Sequence, residues 1–243
     1  MNLINNLADT YEIASHFQQS GALFFLNHEE MIEKLKKLRV LVFDWDGVFN
    51  NGNKGLSSPS TFSEPDISGI NLLRYSLYRI TGEIPSIVII TGEANENSVK
   101  LANRENYNLV YQKVVNKVDA CIDMMSKLNI IAGETACIFD DFNDASMAKI
   151  CSLRFMIRRE SSPLFHSFLV KNGWCDYITA NQQPNNPIRE IAELCMGMLG
   201  VYDEIATLRT NFDKDYVSFM KQRSQIKPEF FALSKGTFVE VVL

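Results

Sequence analysis

Arg39-Val40-Leu41-Val42-Phe43-Asp44-Trp45-Asp46-Gly47 is the stretch that decides the fold. Its apolar run is continuous and ends on a carboxylate. Such a pattern fits a strand buried on both faces, as in a parallel sheet, and not the in-out alternation of a half-exposed one. Working outward, His28 to Leu38 reads as a helix before it. Residues 49–64 are rich in Asn, Gly, Ser and Pro and read as a loop or loose hairpin after it. Asp66 to Ile80 then carries helical spacing in Ile67, Ile70, Leu73 and Leu77.

The same alternation continues. Ser86 to Ile90 reads as a buried strand, Ala94 to Arg104 as a helix and Leu109 to Tyr111 as a short strand. Val115 to Leu128 reads as a helix with apolar positions Val118, Cys121, Ile122 and Met125. Thr135 to Phe139, Leu153 to Ile157 and Tyr177 to Thr179 supply further strands, and a helix begins at Asn143. Strands alternating with helices predict a three-layer α/β/α, Rossmann-like architecture around a mostly parallel sheet. Pro187 opens a helix to Leu199, a single polar amphipathic helix is expected over 201–224, and the tail ends in the apolar segment 238–243. The expected organisation is an N-terminal extension at 1–38, a catalytic core at 39–198 with a small flap at 49–64, and a helical C-terminal extension and tail at 199–243.

Bulk properties narrow the partners. The chain has 243 residues and a net charge of -5, which argues against nucleic acid or an anionic membrane as the main partner. It leaves a small phosphorylated metabolite open, because a local cation can override the global sign. No apolar run is long enough for a membrane span. Ala22 to Leu26 is too short for a signal-peptide core, and Asp9 and Glu12 stand where such a signal carries positive charge. The five cysteines are scattered singly, with no CxxC, which reads as reduced, buried thiols in a cytoplasmic protein.

Four features fall at the C-terminal ends of four successive strands, the edge where ligands bind in open α/β sheets. Asp44-Trp45-Asp46-Gly47 places two carboxylates so that one can attack phosphorus while the other manages protons. Gly47 permits a sharp backbone turn beside them. Thr91-Gly92 offers a hydroxyl and a backbone able to donate to a phosphate. Lys117 opens a helix where its charge can neutralise a nucleophile and a phosphoryl group together. Asp140-Asp141-Phe142-Asn143-Asp144 gathers carboxylates without His or Cys, a donor set for a hard cation such as magnesium. Each alone has a plain structural alternative: a capping turn or calcium-type loop, a helix cap, a solvated lysine, an N-cap cluster. Their order along the sheet is what carries the chemistry.

The order and residue types resemble the four motifs of the haloacid-dehalogenase-like (HAD) phosphatases. They are closest to the small-cap subgroup that contains 3-deoxy-manno-octulosonate 8-phosphate phosphatase. The resemblance lies in Val42 to Val48, in Phe62 to Leu73 (FSEPDISGINLL) and in Val110-Tyr111-Gln112 followed by Lys117. It continues in Cys137 to Asp144 (CIFDDFND), and in Cys175 to Thr179 leading into Ile188-Arg189-Glu190. It spans residues 39–198. It implies a HAD-like fold without a large cap domain and a magnesium-dependent phosphatase. In that light Asp44 is the nucleophile and a metal ligand, and Asp46 is the general acid/base whose backbone carbonyl also reaches the metal. Thr91 and Lys117 anchor phosphate with Gly47 and Gly92 beside them; Asp140 completes the protein ligands, and Asp141 and Asp144 stand behind them. Arg189 matches the subgroup's last helix, where a carboxylate-binding role and a structural salt bridge weigh equally. The substrate implied is a small phosphate monoester, a phosphorylated sugar acid being one candidate. The subgroup's habit of closing open sites by packing subunits implies a homo-oligomer, with a tetramer favoured. Phe24, Phe25, Phe230, Phe231 and Phe238 in the extensions are candidates for that burial, or for packing back on their own domain.

Departures from the family pattern are Phe139 in place of a common Gly, expected to crowd the metal side, Asn50 in place of a Thr, and Asn181 to Pro187 in place of a Gly-rich segment. His16, His28 and His166 lack metal-ligand spacing, Trp45 is expected to pack beneath the site, and Arg158-Arg159 reads equally as an anion-binding or a solvated loop pair. Alternatives from other classes are a catalytically quiet scaffold that keeps the fold, a phosphomutase, and a response-regulator receiver. In a receiver, the phosphorylated Asp would end a later strand than it does here.

Overall fold

A computed structural model describes residues 7–54 and 60–242. The N-terminal half runs α1 (Leu7–Gln19), β1 (Leu23–Phe24), α2 (His28–Leu35), β2 (Val40–Phe43), α3 (Glu64–Thr81), β3 (Ser86–Ile90), α4 (Glu96–Glu105), β4 (Leu109–Gln112) and α5 (Lys117–Leu128). It continues through β5 (Thr135–Phe139), α6 (Ala145–Ile150), β6 (Leu153–Met156), α7 (Pro163–Lys171), β7 (Tyr177–Ile178) and α8 (Pro187–Met198). Helices α9 (Tyr202–Thr210) and α10 (Lys214–Arg223) lead into the strands β8 (Glu229–Ser234) and β9 (Thr237–Glu240).

The strands form one sheet in the order β1-β7-β6-β5-β2-β3-β4-β8-β9. From β7 to β8 every neighbouring pair is parallel, and only the edges β1 and β9 are antiparallel. Strand β2 is buried along its whole length because it lies centrally, between β3 and β5. Its side chains alternate between layers. Leu41 and Phe43 join Ile87 and Ile89 in the core cluster shared with α3 and α8, whereas Val40 and Val42 join Val88 and Ile90 in the cluster shared with α5, α6 and α7. After β2 the chain first builds outward through β3 and β4, then returns to the other side for β5 and β6. That reversal opens a crevice beyond the end of β2, which is where an α/β sheet takes its ligand.

Helices α3 and α8 cover one face and approach closely at Gly69. A Cβ there would lie 3.1 Å from the Arg189 Cα and 3.2 Å from the Ala192 Cβ. Asp66, wholly buried in α3, accepts the Arg189 backbone N–H at 2.9 Å and the Gln183 side-chain amide at 3.0 Å. Gln183 also donates to the Val48 carbonyl, so residues 181–187 brace the loop that comes after β2.

Several expectations need correction. Residues 201–224 are two helices, not one: the chain breaks at Phe212, whose φ is 48°, and Asp213 caps α10 by accepting the Asp215 N–H at 2.9 Å. The tail, for which no structure was expected, is a hairpin, with β8 paired in parallel to β4 from Leu109 opposite Glu229 to Gln112 opposite Ala232. The N-terminal extension likewise adds β1 to the opposite edge, Leu23 facing Ile178. Phe230 and Phe231 are buried and Phe24 packs on the core, so these aromatic groups turn back on their own domain. On α5 the inward face is Ala120, Cys121 and Met124, and Ile122 points outward at 56% exposure. Phe139 does not crowd the metal side; it is fully buried in the cluster with Val42, Cys137 and Met156. The described parts of the 49–64 flap hold no strand, and its residues 55–59 lie outside the described residues. Among the described residues no helix is long and apolar enough to cross a membrane, and all five cysteines are free and buried.

Candidate active site

Asp44 continues β2 by one residue, donating its backbone N–H to the Ile138 carbonyl at 3.0 Å, so its carboxylate projects into the crevice at the end of the sheet. Lys117 arrives from the first turn of α5, beyond β4, and bonds Asp44 Oδ1 while standing 2.6 Å from Asp144 Oδ1. Both are almost completely buried. Burial works against the Lys117 ammonium, but Asp44 and Asp144 outweigh it and hold its pKa above the usual lysine value. Burial, reinforced by Asp144, pushes Asp44 well above the ordinary carboxylate range, with Lys117 offsetting part of the rise.

Asp140 comes directly after β5 and is 2% exposed. Burial and the nearby Asp144 push its pKa up to about 7, against the pull of Arg159. Arg159 comes from the loop after β6; its Nε donates to Asp140 Oδ2 at 2.6 Å and its Nη2 reaches the same oxygen. Asp144 braces this corner, its Oδ2 accepting the backbone N–H groups of Asp140 at 3.3 Å and Asp141 at 3.2 Å. Asp141 is exposed and accepts the Phe142 N–H at 2.7 Å, starting the short 3-10 turn Phe142–Asp144.

Asp46 is turned toward the flap. Its Oδ1 accepts the Ser60 hydroxyl at 2.8 Å, and its Oδ2 lies 3.0 Å from Lys54 Nζ. Lys54 also reaches Glu93 at 3.0 Å, and Asn97 holds the Ser60 carbonyl at 2.9 Å, which ties the flap to the loop after β3. Gly47 has φ of 91°, and a Cβ there would overlap Asp140 and Arg159. Trp45 is fully buried and stacks on Phe49 with centroids 4.7 Å apart, behind the acids as expected. Thr91 is buried at the end of β3, its N–H bonded to Tyr111 and its carbonyl to Val114.

These groups line a single cleft of about 420 Å³, walled by Asp44, Asp46, Thr91, Gly92, Lys117 and Asp140, with Asp141 and Asp144 also at its surface. Arg189 is not among its walls. Its guanidinium pairs with Glu193 at 2.7 Å along α8, the structural of its two expected roles. None of the three histidines lines the cleft. Of two further cations in it, Lys54 was not singled out from the sequence, and Arg159 is the member of the Arg158-Arg159 pair that lines the cleft. Lys54 is the sole cation in 49–64, and Arg159 lies in the loop after β6 at the same sheet edge, signals that only the topology turns into a site.

Asp44, Asp140 and Asp144 bring carboxylate oxygens within 4.8 Å of one another. Three facing carboxylates with oxygen as the only donor atom suit a hard divalent cation. The Asp46 carboxylate is outside this group because the flap holds it. The whole arrangement can present an oxygen nucleophile, a fixed ammonium beside it and a separate acid at the mouth.

No protein-family model matches the sequence. In fold, the chain is similar to a putative HAD superfamily (subfamily III A) hydrolase from Legionella pneumophila, at 21% identity over 75% of this chain and 95% of that one, with a TM-score of 0.62. It is similar to 3-deoxy-D-manno-octulosonate 8-phosphate phosphatase from Moraxella catarrhalis, solved with magnesium, phosphate and KDO, at 23% identity, 74% and 98% coverage and a TM-score of 0.60. A putative phosphatase of the same name from Vibrio cholerae matches at 25% identity, 70% and 89% coverage and a TM-score of 0.57. The chain therefore has the fold of the HAD-superfamily hydrolases, and the described residues form no large cap.

Proposed function

We propose that this protein is a magnesium-dependent phosphatase that hydrolyses a small phosphate monoester through an aspartyl phosphate on Asp44. The observation that carries it is the buried Asp44–Lys117–Asp144 bridge opening on the same cleft as Asp140 and Asp46. A nucleophilic carboxylate must meet a phosphate dianion of like charge, and Lys117, locked in its charged form, offsets that repulsion from a fixed position. Asp44, Asp140 and the backbone beside Asp46 would hold the cation, which when bound adds Lewis-acid charge neutralisation at the phosphoryl oxygens.

The chain's own groups then account for the proton and bond changes. An Asp44 oxygen attacks phosphorus as the bond to the leaving oxygen breaks, and Asp46 delivers its proton to that alkoxide. Asp46, now ionised, takes a proton from water, whose oxygen attacks phosphorus. The bond to Asp44 breaks and inorganic phosphate leaves. The Thr91 position and the Gly92 backbone at the end of β3 serve to orient phosphoryl oxygens. Phosphate release from a panel of sugar-acid, sugar and nucleotide monophosphates, with and without Mg2+, tests the reading. Turnover that persists in excess chelator, or an acid-quenched enzyme that carries no label from a radiolabelled turnover substrate, would refute it.

A homo-oligomer, a tetramer favoured, belongs to the same proposal. The cleft is open, and Val115 on its wall is 88% exposed while Phe142 beside it is 62% exposed. An apolar rim around a wet cleft is what a neighbouring subunit would cover. Light scattering that shows a fully active particle of 27.6 kDa, one chain, would rule this out.

A further inference from the structure

We infer that Arg159 is a built-in cation for Asp140, and that a divalent metal enters the cleft by displacing this guanidinium. The inference rests on the metal-dependent phosphatase proposed above. It adds a residue that the resemblance to other phosphatases does not assign.

Besides the Lys54 tie at its mouth, the cleft contains two cation–carboxylate arrangements of different kinds at the converging acids. Lys117 answers Asp44 and Asp144, and its side chain is only 4% exposed. Carboxylates hold it from two sides. Asp140 is answered by Arg159, whose side chain is 32% exposed while the carboxylate is 2% exposed. The guanidinium binds through Nε and Nη2 to the single oxygen Oδ2, and Nη1 adds only a long contact of 3.5 Å to the Asn51 carbonyl. It thus has solvent on one side and one strong partner on the other.

The preceding residue makes the hinge. Arg158 is pinned by its backbone N–H to Thr179 Oγ1 at 3.0 Å, by Nε to the Thr179 carbonyl at 2.9 Å and by Nη2 to the Gly21 carbonyl at 2.6 Å. The backbone from which Arg159 springs is therefore held while its side chain can swing. On the other side of the guanidinium, Gly47 supplies space that any Cβ would take away.

An arginine does not lose its proton inside a protein, so Asp140 can be vacated only by moving the side chain. Asp140 is also one of the three carboxylates that converge. A metal that takes Asp140 Oδ2 as a ligand must then compete with Arg159, and its apparent affinity is reduced by the fraction of molecules in which the guanidinium is docked. Asp140 keeps a counter-charge of its own from Arg159, and the cation has to be abundant to load the cleft.

The test is the affinity of the purified protein for Mn2+, followed by electron paramagnetic resonance and calorimetry without substrate. Wild type is compared with Arg159→Gln and Arg159→Lys, and Asp140→Ala marks the signal that belongs to this site. Circular dichroism establishes that each variant is folded; Arg159→Lys keeps the charge, so it serves if Arg159→Gln does not fold. Arg159→Gln should bind Mn2+ on the order of tenfold or more tightly than wild type, the scale of one charge-assisted hydrogen bond. Arg159→Lys, which loses the two-nitrogen grip, should fall between them. Equal or weaker binding by the folded variants, with Asp140→Ala abolishing it, overturns the exchange and leaves the metal-dependent phosphatase standing. No binding by wild type or any variant at millimolar Mn2+ overturns both.

Discussion

Lys117 Nζ stands 2.6 Å from Asp144 Oδ1 while bonded on its other side to Asp44, so one buried ammonium is shared by two buried carboxylates. Removing the ammonium leaves two buried carboxylates side by side without a counter-charge. Lys117→Met should therefore cost about 3–5 kcal/mol in urea denaturation with chelator present at pH 8. The loss should shrink at pH 5, where Asp44, whose pKa burial raises, can take up a proton. A loss under about 1 kcal/mol at pH 8 would mean that the bridge is not held in solution.

Asp44→Asn should remove turnover by several orders of magnitude, because an amide oxygen does not attack phosphorus. The protein should stay folded and be at least as stable as wild type in chelator. Folding raises the Asp44 pKa well above the ordinary carboxylate range, so the ionised group costs stability at neutral pH and the amide relieves it. Near-normal phosphate release from a folded Asp44→Asn protein would end the aspartyl-phosphate mechanism.

Asp140 predicts a pH dependence whose sign is set by its folded pKa of about 7. The unfolded carboxyl titrates near about 4. Between these values the native state binds more protons than the unfolded state, so metal-free stability falls as pH rises. The decline between about pH 4 and pH 7 should be on the order of 2–4 kcal/mol, should flatten in Asp140→Asn, and should be reversed by added Mg2+. Denaturant midpoints across this range, with and without chelator, measure it.

Lys54 joins Asp46 to Glu93 across the cleft mouth, but it is 45% exposed. Exposed pairs of this kind contribute little to stability, so Lys54→Ala should change it by no more than about 1 kcal/mol. The same change removes one of the two flap contacts on the Asp46 carboxylate, leaving the Ser60 hydroxyl, and should lower kcat more than it raises KM. Unchanged steady-state kinetics would show that the flap tie has no part in catalysis.

Phe231 stacks on Tyr111 with centroids 5.2 Å apart and is 4% exposed, although it lies in the C-terminal tail. Phe231→Ala should cost about 3–5 kcal/mol, as for other buried aromatic truncations. A thermal melt that barely moves would mean that the β8–β9 hairpin is an appendage and not part of the sheet.

The fold was readable wherever burial is written locally. Val40 to Phe43, Ser86 to Ile90 and Thr135 to Phe139 are apolar runs because both sheet faces are covered. The acids, the threonine and the lysine placed after successive strands were legible for the same reason: parallel strands bring their ends to one edge. The extensions, in contrast, depend on partners distant in the chain. Periodicity did not reveal that 229–234 would pair with β4, or that 201–224 would break at Phe212, since pairing and left-handed φ come from the surrounding structure. Nor could it separate Arg158 from Arg159. Adjacent arginines are equivalent as sequence, but one meets the Thr179 and Gly21 carbonyls and the other meets Asp140. Arg189 found Glu193 on its own helix and not the cleft. Sequence alone determined which residue types reach the catalytic edge, because strand burial is a local property. Tertiary structure alone decided which charge each of them meets, because a side chain's electrostatic partner is set by distance in space.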